Sequence, residues 1–222
     1  MNIHQSSATE DSSSGSWFEI TSCQGRLRNC PHVLLSPDNL IIAIRSLLEQ
    51  NFRSVLASAG KTLIVHPHKR LRIAIACCPN ACSQPQIMDF GLIACCQMQN
   101  EADPELCTGC NHCVYICREH AIVPEKGFTI TSEVCAGCGE CLSVCKPKAR
   151  IALKKGWRVL AGGKLGRHPR LAREIAAFRS DEQAVAIIRQ CMNWFVKNKI
   201  ESERFSDTLS RIGAHSLQQY IS

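Results

Sequence analysis

Apolar residues recur along the chain in two rhythms. Leu40, Ile41, Ile44, Leu47 and Leu48 repeat at helical spacing, which predicts a helix over about residues 37–49. Ser36 is its expected N-cap, Pro37 suits the first helical position and Asp38 the first turn. A second short helix is expected near residues 52–58, closed by Gly60. Leu71 to Ala76 is apolar apart from Arg72 and reads as a largely buried strand. Phe90 to Cys96 reads as another, and Trp157 to Leu160 as a third that ends at Gly162-Gly163. Further on, Ser180 and Gln183 form an expected capping box, and Ala184, Ile187, Ile188, Cys191 and Phe195 line one helix face. A last helix is expected over about residues 203–212. Residues 1–16, rich in Ser and acids, read as a disordered tail with none of the apolar core of a signal peptide.

The predicted strands stand on both sides of a cysteine-dense stretch. The economical reading is a discontinuous α+β domain, residues 17–100 and 151–222, interrupted by an insertion at 101–150. No apolar run approaches the ~18 residues that span a bilayer. A hydrophobic fraction of 45% is enough to build a core, so the 16 cysteines are not needed as staples. With no sign of secretion, the expected compartment is the reducing cytoplasm, where clustered cysteines bind metal.

The net charge of +7 is concentrated: between Leu142 and Arg173 there are ten Lys or Arg and no acid. With only 5% aromatics, platforms for stacking nucleic-acid bases are scarce, and no nucleic-acid partner is expected. The basic stretch suits an anionic cofactor or substrate; a solvated basic face is the plain alternative.

The cysteines carry the chemistry. Cys107-Thr-Gly-Cys110-Asn-His-Cys113-Val-Tyr-Ile-Cys117 is repeated as Cys135-Ala-Gly-Cys138-Gly-Glu-Cys141-Leu-Ser-Val-Cys145, with Lys146 and Pro147 following. Both runs are C-x2-C-x2-C-x3-C. Three cysteines wrap one cubane, and the fourth points away to the other. This predicts two [4Fe–4S] sites: Cys107, Cys110, Cys113 and Cys145 at one, and Cys135, Cys138, Cys141 and Cys117 at the other. Structural zinc uses cysteine pairs, four ligands to an ion, which two consecutive runs of this form do not suit. Residues 101–150 resemble bacterial two-cluster ferredoxins. One departure is Arg118, where that family usually has proline; it removes no ligand.

Two further pairs, Cys23-x6-Cys30 and Cys78-x3-Cys82, make four thiolates, the number a third [4Fe–4S] cluster needs. Cys78-Pro79-Asn80-Ala81-Cys82 resembles the C-P-N-x-C turn of sulfite and nitrite reductases. The stretch Trp157 to Arg170, with Gly162, Gly163 and Gly166, is similar to the glycine-rich segment after the ferredoxin insert in anaerobic sulfite reductase catalytic subunits, and Glu203 to Gly213 is similar to their C-terminal helix. The resemblance implies an α+β, sirohaem-type sulfite reductase domain carrying a ferredoxin-like insertion. It further implies that Cys23, Cys30, Cys78 and Cys82 hold a cluster coupled to sirohaem, with Cys82 the bridging axial ligand and Asn80 at the cofactor. The upstream pair is spaced by six residues here against about five in that family.

Sirohaem is a polycarboxylate, so its pocket needs cations and close backbone. Lys164, Arg167 and Arg170 lie in the acid-free stretch and are expected cofactor contacts, while Arg26 and Arg28, between the upstream cysteines, are candidates for the substrate anion or a cofactor carboxylate. Cys77, Cys95, Cys96 and Cys191 lie in apolar runs and read as core residues. Reductases of the resembled family begin with a half-domain that covers the cofactor, whereas 22 residues precede Cys23. The expectation is therefore a short form whose site is completed by a partner chain or a second copy, or is open to another substrate. The implied activity is reduction of sulfite to sulfide, fed by a low-potential donor protein. The open alternatives are a non-catalytic electron-transfer subunit and a sirohaem protein acting on nitrite or another small molecule.

Overall fold

The computed structural model describes residues 17–25, 27–52, 70–200 and 203–221. The expected tail at 1–16, most of the helix expected near 52–58, and Arg26 lie outside these residues.

A five-stranded mixed sheet forms the centre. Its strands are β1 (Phe18–Ser22), β2 (Leu71–Ala76), β3 (Phe90–Met98), β6 (Ala152–Ala161) and β7 (Arg173–Arg179), side by side in that order. β1, β2 and β3 run parallel; β6 and β7 each pair antiparallel with the strand before them. A two-stranded ribbon, β4 (Ile122–Val123) with β5 (Thr129–Ile130), stands apart. The expected strands at 71–76 and 90–96 are present. The one expected at 157–160 begins five residues earlier, at Ala152, because Ala152, Lys154 and Lys155 pair with the far end of β3, with Leu153 at a break in register. β1 and β7 have no counterpart in the hydrophobic pattern: β1 is half polar, β7 has a short apolar middle between charged ends and no fully buried residue, and each lies at a sheet edge.

Alternation along the strands assigns the two faces. Ile73, Ile75, Phe90, Leu92, Ala94, Trp157, Val159 and Ala161 join one core. Two helices supply its other half. α1 (Asp38–Asn51) buries Leu40, Ile44, Leu47 and Leu48, and α4 (Asp181–Asn198) buries Ala184, Ile188, Cys191, Met192, Trp194 and Phe195. Ser36 is not the cap of α1: its hydroxyl donates to Asp38 Oδ2 at 2.8 Å and Pro37 takes the cap position. The capping box of α4 forms as expected, with Gln183 N–H on Ser180 Oγ and Ser180 N–H on Gln183 Oε1. α5 (Phe205–Ile212) and a further helix, α6 (Ala214–Ile221), close the C-terminal side, and Phe205 packs its ring 4.4 Å from that of Phe90. The other sheet face carries Ala76, Ile93 and Leu160, against which Ala81 and Ala172 pack.

Between β3 and β6 the chain leaves the sheet and returns. Gln99 N–H on Ile151 O and Asp103 N–H on Ala149 O close the neck. The excursion contains the ribbon, α2 (His112–Ile116) and α3 (Glu140–Ser143). Its own core is small: Ile122, Ile130 and Cys141, joined by Cys96 and Met98 of β3.

Candidate iron–sulfur and anion site

The two cysteine runs fold into near-identical loops. In each, the third and fifth positions are left-handed: Gly109 and Asn111 in the first (φ 68° and 62°), Gly137 and Gly139 in the second (φ 68° and 72°). Glycine and asparagine are the residues that tolerate this conformation, and it curls a loop so that successive N–H groups face inward, a lining suited to an anion. Cys107, Cys110, Cys113 and Cys145 line one cavity. Cys117, Cys135, Cys138 and Cys141 line another. Each cavity therefore takes three cysteines from one run and the last cysteine of the other.

The second cavity is not walled by the excursion alone. Pro79 and Asn80, from the turn after β2, also line it. Its loop is bound to the sheet, with Cys96 N–H on Gly137 O at 2.9 Å. A Cβ on Gly137 would stand 2.7 Å from Cys96 O, so only glycine permits this approach. Glu140 ties the same loop to the chain following Cys30: its Oε1 lies 3.1 Å from His32 Nδ1 and its Oε2 3.7 Å from Arg118 Nε. Arg118, the residue standing in place of proline, thus anchors the far side of Glu140.

The upstream pairs meet because β1 and β2 are parallel neighbours. Ser22 pairs with Ile75, and Cys23 N–H continues the ladder onto Ile75 O at 2.8 Å. Cys23 and Cys77-Cys78 therefore leave adjacent strands at the same end. Gly25 is buried between the first two cysteines, its N–H on Cys23 Sγ and its carbonyl taking Cys30 N–H. Ala81, left-handed at φ 53°, turns the chain from Cys78 to Cys82. Burial raises the Cys78 thiol, Asn80 N–H works against that, and Cys23, Cys82 and Cys30 all raise it further. The four thiols are thus electrostatic neighbours. Cys82 is the exposed one.

The same balance holds at the second cavity. Burial comes first for Cys141, pushed up to about 12, with Arg150 opposing and Cys138, Cys135 and Cys96 adding. Cys138 is raised by burial and by Cys135 and Cys117, with Glu140 N–H opposing. Buried thiols held together are poor free thiolates, and a bound cation is what makes them ionise. Among the described residues no group of three or more His, Cys, Asp or Glu side chains is arranged to hold a single metal ion; the ligands of a cubane stand around a larger body. The donor set of each cavity, four sulfurs and inward amides, fits such a cluster.

Cys77, Cys95, Cys96 and Cys191 are buried. Burial pushes Cys191 up to about 12 and Cys77, beside Cys23, also to about 12.

The basic residues divide. Ala172, at the end of the glycine-rich strap after β6, packs on Ala81 and donates its N–H to Gln86 O at 2.7 Å, so the strap adjoins the Cys78–Cys82 turn. Lys164 is engaged by Asp207 of α5 at 2.5 Å. Arg170 Nη2 donates to Ser206 O at 2.8 Å, while its Nε is buried without a partner. Arg167, Arg28 and Asn80 are exposed. Arg170 Nη2 also lies 4.0 Å from Asp207 Oδ1, so the strap is half committed to its own chain and keeps its open cationic capacity in the exposed Arg167.

Two anchors escaped sequence reasoning. Asp89 is fully buried and accepts from Arg72 N–H, Ser206 N–H and, at 2.8 Å, Arg204 Nη2. Its carbonyl takes Gly162 N–H, so one residue pins β2, the strap and the start of α5. A lone Asp before a strand carries no signal of this. The other is Arg150, 5% exposed, which lines the first cavity.

Known proteins bear on this arrangement. The profile of the family described as "Nitrite and sulphite reductase 4Fe-4S domain" matches residues 18–222. The chain is 32% identical over 170 residues to the coenzyme F420-dependent sulfite reductase of Methanocaldococcus jannaschii, 75% of this chain but 25% of that protein. It is 30% identical over 71 residues to an assimilatory-type sulfite reductase of Nitratidesulfovibrio vulgaris, 32% of this chain and 33% of that one. The matches thus span a third or less of the length of these curated relatives. Dissimilatory sulfite reductase I, at 16% identity, superposes with a TM-score of 0.59 over 91% of this chain and 52% of that chain, a likeness of fold.

Proposed function

Since the chain belongs to the family of nitrite and sulfite reductase 4Fe–4S domains, we propose that it is a sirohaem-dependent reductase, of sulfite to sulfide, fed through the clusters of its 101–150 segment. The observation that carries this reading is the adjacency of the sites: Pro79 and Asn80, between Cys78 and Cys82, wall the cavity of Cys117, Cys135, Cys138 and Cys141. A pathway for electrons from the segment to the outer thiols needs that adjacency.

When bound, sirohaem and its coupled cluster supply an iron that takes the sulfur of the substrate and the electrons that reduce it. The chain's own residues hold and neutralise. Cys23, Cys30, Cys78 and Cys82 are the ligands of the coupled cluster, and the exposed Cys82 is the thiolate that reaches the cofactor. Arg170 and Arg167, with Lys164 shared with Asp207, face cofactor carboxylates; Arg28, and Arg26 outside the described residues, offer charge to the substrate's oxygens. The Cys107, Cys110, Cys113 and Cys145 cavity is lined only by the segment itself and serves as the inlet from a low-potential donor; the cavity that Pro79 and Asn80 share is the outlet. Among the described residues no helix is long and apolar enough to cross a membrane.

One observation favours a second reading, an electron-transfer subunit without tetrapyrrole: Lys164 and Arg170 already bind Asp207 and Ser206. Anaerobic purification with iron analysis, tetrapyrrole extraction and an absorption spectrum separates the two. The reductase requires about 13 irons per chain, three cubanes and the sirohaem iron, with extractable sirohaem; about 8 irons with no sirohaem sinks it. Sulfide formation with a reduced low-potential donor then tests the substrate.

A further inference from the structure

Two charged side chains are buried among the described residues, Asp89 and Arg150. Asp89 has its counter-ion in Arg204. Arg150 has none: Nη1 donates to Asn100 O at 3.4 Å, Nη2 to Phe128 O, and Nε is buried without a partner. A cation taken out of water without a counter-charge is strongly unfavourable, and backbone carbonyls offset only part of that. The fold therefore leaves a buried positive charge in want of an anion.

Its surroundings say which anion. Arg150 lines the same cavity as Cys107, Cys110, Cys113 and Cys145. Among the residues that line that cavity, Arg150 is the one Lys or Arg side chain. A cubane core held by four thiolates is a net anion, and one-electron reduction adds a further negative charge without making or breaking a bond.

We infer that Arg150 is the internal counter-ion of the cubane site lined by Cys107, Cys110, Cys113 and Cys145, placed to raise its reduction potential and so make this end of the 101–150 segment an electron acceptor. The attraction of a fixed cation grows with the negative charge of the cluster, so the reduced form gains more than the oxidised form. Low dielectric around a 5% exposed guanidinium strengthens the effect. The inference rests on the cluster reading above but not on sirohaem, substrate or turnover.

The test is an EPR-monitored redox titration of the full chain with dithionite and mediators, comparing Arg150→Met and Arg150→Lys with the wild type. Arg150→Met is expected to disfavour reduction at least tenfold, a fall of about 59 mV for a one-electron couple, most at the Cys107 site. Arg150→Lys, which keeps the charge, stays near the wild type. Equal potentials in wild type and Arg150→Met, at full iron content, overturn the inference. If Arg150→Met fails to hold iron while Arg150→Lys holds it, the charge requirement stands; if neither holds iron, Arg150 is a packing element of the neck and the inference falls. A wild-type chain with no cubane signal sinks the cluster reading itself, before any variant is made.

Discussion

The central sheet and the 101–150 segment are held together in different ways. The sheet buries Trp157, Trp194, Phe90, Phe205 and a row of Ile and Leu between its strands and α1 and α4. The segment offers Ile122, Ile130 and Cys141, and borrows Cys96 and Met98 from β3. Apolar burial at about 25 cal/mol per Å² is ample for the first and meagre for the second. The segment's remaining order comes from left-handed turns, the neck, and four thiols around each cavity. The lesson is a division of labour: a host ordered by its apolar core, and a segment whose small core leaves its order to turns, the neck and the contacts around its thiols.

Removing iron should show the difference most strongly. After chelation under reducing conditions, amide exchange across 107–145 is expected to accelerate roughly 100-fold or more, since metal binding free energy is folding free energy in such a segment, while β2, β3 and α4 stay protected. Loss of protection in both regions together would break the comparison.

The reverse experiment attacks the host. Asp89→Ala takes the carboxylate away from Arg204, Arg72 N–H and Ser206 N–H and so loosens β2 from the start of α5, while the backbone carbonyl that holds the strap through Gly162 N–H stays; a loss of about 3–5 kcal/mol is expected in urea unfolding, with the iron bound in 107–145 unchanged. A loss below about 1 kcal/mol would show that Asp89 is a bystander.

The smallest effect concerns pH. Hydrogen bonds from Arg211 hold the Glu203 carboxyl down at about 2 instead of 4.5, with Ile200 N–H and Thr208 assisting. Because the folded value is the lower one, the stabilisation is whole above pH 4.5 and fades as pH falls towards about 2. Glu203→Gln should flatten stability across that window by less than about 1 kcal/mol, since solvent screens the pair. An unaltered pH profile in thermal unfolding would remove Glu203 from the account.

The two regions also differ in how openly the sequence declares them. The segment is written in one stretch. Eight cysteines at fixed spacing, with Gly109, Asn111, Gly137 and Gly139 at the positions that must turn left-handed, specify the two loops locally, because loop geometry is decided within a few residues, while Cys117 and Cys145 each cross to the cavity of the other run. The buried strands and the capping box of α4 were equally legible, since apolar periodicity and caps are local. Ser36 was misread by one position, because Ser36 and Asp38 hydrogen-bond each other and leave the helix end to Pro37.

What tertiary structure alone decided is long-range. Cys23 and Cys78 are 55 residues apart in number and meet because β1 pairs parallel to β2, and nothing in β1's half-polar pattern announced that pairing. The ten cations between Leu142 and Arg173 look alike as a string. Folding separates them: Lys164 goes to Asp207, Arg158 to Glu174, Arg167 to solvent, and Arg150 into the segment beside the thiols. Charge is a property of a residue, but its strength and its partner depend on depth and neighbours, and those exist only once the chain has folded.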